Sequence, residues 1–349
     1  MARRLRWTAF LAPLRRFRRQ APRRASILAV AAAVLLSCNP EASPPLRVGI
    51  CPRVPAELAF IARDLGFFAD HDVELVQYSS PIELARHLRE GSLDAAALTL
   101  DFVPYLAASI PSLDVVFVLG VSKGADGIVA GAEIGDLAGL RGKRIGLEAS
   151  PLGAHLLLRA LKAGGLSQRD VEAVSVDGED QADAFLTHQV DAVVTADPDR
   201  RRLLSSGATS LFDSSRTPGE IVDVLLVPGT TVATQDKALR KLLDGWLAAF
   251  TRLDDDHVPT VAKLASGLWV DSAAIEQALA GTRLGDLALN HEMLAGPRPK
   301  LASVLEDTEA LAVEAGLLRP DHRESVRFDD SFLPGVVSRP LGQSGGGTP

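Results

Sequence analysis

Between Leu46 and Val227 the sequence alternates short, continuously apolar runs with segments of helical period, and nothing else in the chain constrains its fold as tightly. Apolar runs bounded by turn residues read as strands covered on both faces, and 3.6-period segments between them read as the helices that cover those faces. Strands are predicted at Leu46–Cys51, Val73–Tyr78, Ala95–Leu100 and Val115–Leu119, with helices at Ala56–Ala69, from Ser80, and from about Phe102. The rhythm then restarts. Strands are expected at Gly127–Ala130, Arg144–Leu147, Val171–Val176, Ala192–Thr195 and Val222–Val227, with helical stretches at 134–140, 150–163, 182–187 and 198–205. Such alternation indicates an α/β fold of doubly wound, mostly parallel sheets.

Two helix starts are written in side-chain chemistry. Ser80-Pro81-Ile82-Glu83 supplies a cap, a first-turn proline and a capping-box glutamate, and Ser150-Pro151 repeats the cap and the proline. From about Thr234 the chain reads as helical to its end. Leu239, Leu242, Leu243, Trp246, Leu247, Phe250 and Leu253 form one stripe suited to a core, and helices are expected at 272–280 and 300–315. The glycine-rich end, 342–349, reads as an unstructured tail.

The first 37 residues are foreign to the rest. They carry nine arginines and no acid, followed by an apolar run, Ala25–Ser37, of 13 residues. That is too short to cross a bilayer and has the form of an export signal. The run ends Leu35-Leu36-Ser37-Cys38, which resembles the bacterial lipobox, so Cys38 is the expected lipidation site and the new amino terminus. Residues 39–45, rich in proline, would form a tether. Removing the nine arginines takes the formal charge from −7 to −16, which opposes binding to nucleic acid. With Cys38 lipidated, Cys51 is left alone, so neither a disulfide framework nor a cysteine metal site is expected.

Several phrases, in order, resemble the nitrate/sulfonate/taurine-type substrate-binding proteins of ABC importers and the related pyrimidine-precursor binders. They are Asp64-Leu65-Gly66-Phe67-Phe68, Gly91-Ser92-Leu93-Asp94-Ala95-Ala96, Asp136 through Gly146 (DLAGLRGKRIG), Gln189-Val190-Asp191-Ala192, and Phe328-Asp329-Asp330-Ser331-Phe332-Leu333. The resemblance implies a type II periplasmic-binding-protein fold: two lobes, two crossovers and a helical C-terminal portion. Lobe 1 would hold 46–125 and 227–335, and lobe 2 would hold 126–226. It further implies a small polar organic solute (sulfonate-, taurine- or pyrimidine-like), permease and ATPase partners, no cofactor, no catalysis, and a monomer lipid-anchored on the periplasmic or cell-surface side of the membrane. One departure stands out. Where the family often has Trp-Glu-Pro after its "V-D-A" strand, this chain has Ala196-Asp197-Pro198, which removes a stacking surface.

In open α/β sheets ligands sit beyond the carboxyl ends of strands, where helix amino termini offer unpaired N–H groups. Candidate contacts there are Ser79 and Ser80, Thr99 and Asp101, and Glu148, Ser150 and Gly153, together with Asp197. Arg53 and Lys123 are cations at the expected cleft edges, and Glu220 lies in Thr217-Pro218-Gly219-Glu220, a further capping-box pattern. Both signs of charge together suit a zwitterion or polar heterocycle better than a bare inorganic anion.

The seven histidines show no metal-ligand spacing, and Ser150 with His155 makes no supported nucleophile–base pair. The enzyme alternative is a pyrimidine-precursor-synthase-like protein on the same fold. A third reading is a ligand-sensing domain for a membrane receptor.

Overall fold

The apolar runs become the strands of two sheets. The computed structural model describes residues 44–319 and 326–334; the leader 1–37, Cys38, most of the tether and the tail 342–349 lie outside the described residues. The first half supplies β1 Leu46–Ile50, β2 Val73–Gln77, β3 Ala95–Thr99 and β4 Leu113–Ser122, with α1 Val54–Asp64, α2 Pro81–Arg89 and α3 Val103–Ala107 between them. The chain then passes into β5 Asp126–Ala130, β6 Arg144–Leu147, β7 Glu172–Ser175, β8 Ala192–Ala196 and β9 Thr209–Asp213, with α4 Pro151–Ala163, α5 Gln181–Leu186 and α6 Asp199–Ser205. It returns through β10 Val222–Pro228 to α7 Gly229–Thr234, α8 Asp236–Asp255, α9 His257–Gly267 and α10 Ser272–Ala280. β11 Thr282–Leu284, α11 Leu287–Leu294, α12 Lys300–Glu314 and β12 Val326–Phe328 complete the described chain.

Seven strands form one sheet, ordered β11-β4-β10-β3-β1-β2 with β12 also on β4, and five form the other, ordered β7-β6-β8-β5-β9. Each sheet carries an apolar layer on both faces. Along β3, Ala95 and Ala97 pack with Trp246 and Leu243 while Ala96 and Leu98 pack with Leu84 and Met293. This is the two-sided alternation of a covered sheet. The buried Asn290 side chain pairs with β4 like a further strand residue, accepting from Val118 N (2.7 Å) and donating to Val118 O (2.9 Å).

The sheets are mixed, not mostly parallel. β1 pairs in parallel with β2 and β3, and β6 with β7 and β8, but the strands that carry the chain between the sheets run the other way: β10 is antiparallel to β3 and β4, and β5 to β8 and β9. β10 belongs wholly to the first sheet, so the second passage falls between Asp213 and Val222, before the expected limit at 226. Strand β9 was not expected, because Thr209-Ser210 at its start are polar. The region after Thr234 is helical apart from β11 and β12, which extend the free edge of β4 at its two ends. The helix expected over 134–140 is a single 3-10 turn at Ala138–Leu140.

Both serine caps form. Ser80 Oγ accepts from Ile82 N (3.2 Å) and Ser150 Oγ from Gly153 N (3.1 Å). Neither predicted capping box closes among the described residues. Thr217 and Glu220 precede a strand instead of a helix, and the Glu220 carboxylate turns to Arg159 Nε (2.6 Å) and His155 Nε2 (3.1 Å) on α4.

Candidate functional site

A cleft of about 890 Å³ lies where the carboxyl ends of β1, β3, β6 and β8 come together. Among the sequence-predicted residues, Arg53, Ser79, Thr99, Glu148, Ser150, Gly153 and Asp197 line it. Ser80 reaches across it: its Oγ, on the first sheet's side, donates to Glu148 Oε1 on the second at 3.4 Å. Three predicted residues lie elsewhere. Asp101 is buried, accepts from the Thr99 hydroxyl, and lines a separate hollow of about 20 Å³ with Tyr105 and His155. Lys123 is exposed at the first passage, its amide donating to Gly281 O (2.7 Å). Glu220 is held by α4 as described above.

Gly153 is required by space. A Cβ there would stand 2.5 Å from the Glu148 carbonyl oxygen, so the first turn of α4 approaches the β6 loop as closely as backbone allows. That approach sets the Ser150 cap and Glu148 side by side. Burial raises the pKa of the Glu148 carboxyl, against the hydrogen bonds of Ser150 and Ser80 that favour its charge.

The cations on the cleft wall are engaged. Arg53 donates through Nε to Asp223 (2.8 Å) and through Nη1 to Asp126 (2.9 Å), with longer second bonds to each. Both carboxylates are nearly inaccessible, at 1% and 6% side-chain exposure. Burial works against the charge on Asp126, but Arg53 outweighs it and holds its pKa below the usual range. Asp223 is pushed up by burial, with Asp126 and Asp101 adding to the rise. Arg201 donates to Asp197 (3.1 Å), and Arg202 lies near Asp183 (3.5 Å) and Asp199 (3.7 Å). Burial also pushes Asp197 up to about 6. Its Oδ1 has no hydrogen-bond partner among the described residues and lies 3.8 Å from Arg200 Nη1.

Sequence reasoning missed two kinds of residue. Arg200, buried in α6, donates to Gly124 O (3.1 Å), Ser210 Oγ (2.8 Å) and Asp213 (3.2 Å), tying both passages between the sheets together. Trp269 lies on the cleft wall and is 93% exposed, with a left-handed φ of 57°. The left-handed residue sends its own side chain outward while Leu268 and Val270 pack on the first core. A bulky residue in that conformation costs about 1–3 kcal/mol and persists only where its surroundings impose it.

Cys51 also lines the cleft. Burial, helped by the nearby Glu148 charge, pushes its thiol up to about 12. No group of three or more candidate metal ligands occurs among the described residues, and no described helix is long and apolar enough to cross a membrane.

A family model described as the NMT1-like family matches residues 39–266. The chain belongs to the NMT1-like family. A putative thiamine biosynthesis protein of Haemophilus influenzae is 29% identical over 140 residues, covering 39% of this chain and 44% of that protein, so the chain spans less than half of that curated relative. Among solved structures, the alkanesulfonate-binding protein SsuA from Xanthomonas axonopodis pv. citri, bound to MOPS, superposes with a TM-score of 0.65 at 22% identity, covering 79% of this chain and 96% of that one. The periplasmic nitrate-binding protein NrtA of Synechocystis PCC 6803 gives 0.64 at 17%, covering 79% and 83%. The desulfurization enzyme DSZB gives 0.60 at 19%, covering 80% and 94%. At these identities the likeness is one of fold, and the fold is the two-lobed periplasmic-binding-protein arrangement.

Proposed function

We infer that the protein is the extracytoplasmic solute-binding component of an ABC importer. It holds a small polar organic molecule between its lobes and delivers it to permease and ATPase subunits without altering it. The observation that carries this reading is the Ser80–Glu148 contact: two helix-start loops, one on each sheet, meet at 3.4 Å across a cleft large enough for a metabolite. Proteins of this fold include binders of sulfonate and nitrate. In the same reading Cys38 carries the lipid, residues 38–45 are the tether, and the protein acts as a monomer. Lobe 1 comprises 46–125 with the chain from β10 to about 335, and lobe 2 is the segment between.

The enzyme reading draws on DSZB and on the presence of Cys51 in the cleft wall. A thiol with its pKa near 12 is a poor nucleophile at neutral pH, which favours binding over catalysis.

Small molecules released by denaturing the purified protein, identified by mass spectrometry, test the function. A solute recovered unchanged after prolonged incubation, which also raises the melting temperature when added back, is expected. At a hundred times its Kd such a solute adds about 2.7 kcal/mol to stability. Release of a chemically altered product would overturn the binding reading. Incorporation of labelled fatty acid, lost in Cys38→Ala, tests the anchor.

A further inference from the structure

The cleft wall carries six carboxylates (Asp126, Glu148, Glu179, Asp197, Asp199 and Asp271) against three arginines. Each arginine is already matched by carboxylates of this chain: Arg53 by Asp126 and Asp223, Arg201 by Asp197, and Arg202 by Asp183 and Asp199. An anionic solute would therefore have to break an existing pair to find a cation. A cationic one finds acceptors waiting. Glu148 has, among the described residues, the hydroxyl partners Ser80 and Ser150 and no cationic one.

The second, independent observation is Trp269. The other tryptophan among the described residues, Trp246, is buried and donates to Pro55 O at 3.0 Å, whereas Trp269 is presented to solvent by a loop fixed on both sides. Leu268 N donates to Leu264 O (3.0 Å), Val270 N to Ala265 O (3.0 Å), and Asp271 caps α10 through Ala274 N (2.8 Å). Fixed flanks and a left-handed backbone hold a large aromatic face at the cleft wall. Aromatic faces beside carboxylates recognise organic cations, because the ring's negative face attracts the charge while its surface buries the alkyl groups.

We propose that the solute is an organic ammonium ion, covered by Trp269 from the first lobe and counter-charged by Glu148 from the second. This rests on the solute-binding reading and narrows it to a class of ligand different from the sulfonate and nitrate of the structural neighbours.

The test uses the full chain, unfolded and refolded to strip resident solute, with two probe sets: tetramethylammonium, choline and benzylammonium on one side, MOPS and nitrate on the other. Melting temperature, calorimetric Kd and tryptophan emission are recorded for wild type, Trp269→Ala, Trp269→Phe and Glu148→Gln. At least one ammonium probe is expected to raise the melting temperature and change the emission. Trp269→Ala should weaken its binding roughly ten- to thirtyfold, and Glu148→Gln roughly tenfold or more. Trp269→Phe should keep most of the affinity but lose the emission change. Because Trp269 is 93% exposed, the empty Trp269→Ala protein should melt like wild type. Binding of MOPS or nitrate that neither substitution weakens, or a co-purifying solute with no cationic group, overturns the ammonium inference and leaves solute binding intact. Absence of any released solute together with no response to either probe set removes the solute-binding reading, and this inference with it.

Discussion

Arg53 Nη1 lies 2.9 Å from Asp126 Oδ1, joining the loop after the first strand of one sheet to the first residue of β5 in the other. The same guanidinium reaches Asp223, on the strand by which the chain returns. Arg53 thus fastens both passages between the lobes at the cleft floor, and Arg200 adds a second fastening through Gly124 and Asp213.

Removing Arg53 should be costly. Arg53→Ala leaves two buried carboxylates facing each other without a counter-charge, and a loss of about 3–5 kcal/mol is expected. Arg53→Lys should recover part of this, since an ammonium keeps the charge but not the forked geometry that serves two partners at once. Urea melts of the two variants check the order; an Arg53→Ala protein as stable as wild type would show that the pair is dispensable.

Gly153→Ala sets two effects against each other. Alanine in a helix is ordinarily better than glycine by about 1 kcal/mol, but here its Cβ would stand 2.5 Å from the Glu148 carbonyl. The clash should win: a net loss of about 1–3 kcal/mol, with weaker solute binding because Glu148 and the Ser150 cap must move. Chemical denaturation together with calorimetry on the same sample measures both.

Cys51 should react slowly despite lining the cleft. With its pKa near 12, the thiolate fraction at pH 8 is about 10⁻⁴, against roughly a quarter for an ordinary thiol. Alkylation by iodoacetamide in a Cys38→Ala background is therefore expected on the order of a thousandfold slower than for a free cysteine. Glu148→Gln should speed it by removing a nearby negative charge. A fast, pH-independent reaction near neutrality would reopen the enzyme reading.

Glu57 gives stability a pH dependence. It is 2% exposed, accepts only from Gln77 Nε2 (3.3 Å) among the bonds described, and burial pushes its pKa up to about 7 from 4.5. Between those values the unfolded chain has released the proton while the folded one still holds it. Stability is therefore full below about pH 4.5 and falls as pH rises towards 7. The loss is about 3 kcal/mol for a shift of this size. Glu57→Gln should remove this slope from melts taken across pH 4.5–7.

Local signals in the sequence carried far. Ser150-Pro151 placed the start of α4 to the residue, because a hydroxyl cap and a first-turn proline act within a single helical turn. The run Ala95–Leu100 declared a strand buried on both faces, because its composition leaves no solvent side, and the strand forms over Ala95–Thr99. The same logic put Ser79, Thr99, Glu148, Ser150 and Gly153 at strand ends, and these positions line the cleft. Whether an apolar run such as Val222–Val227 ends one sheet or begins the other is not a property of that run, and the pairing of β10 with β3 and β4 is what sets it in the first sheet.

What the amino-acid order determined by itself was the alternation of elements, their caps, and the two-sheet α/β class, all governed by interactions within a few residues. The tertiary structure alone decided the fates of the charged and aromatic side chains. Arg53 looked like a free cation at a cleft edge until the fold brought Asp126 and Asp223, 73 and 170 residues away, against it. Trp269, which no local signal singled out, stands outward on a left-handed backbone. Burial and pairing of polar groups depend on partners distant in sequence, so the charge balance of the cleft appears only once the chain has closed around it.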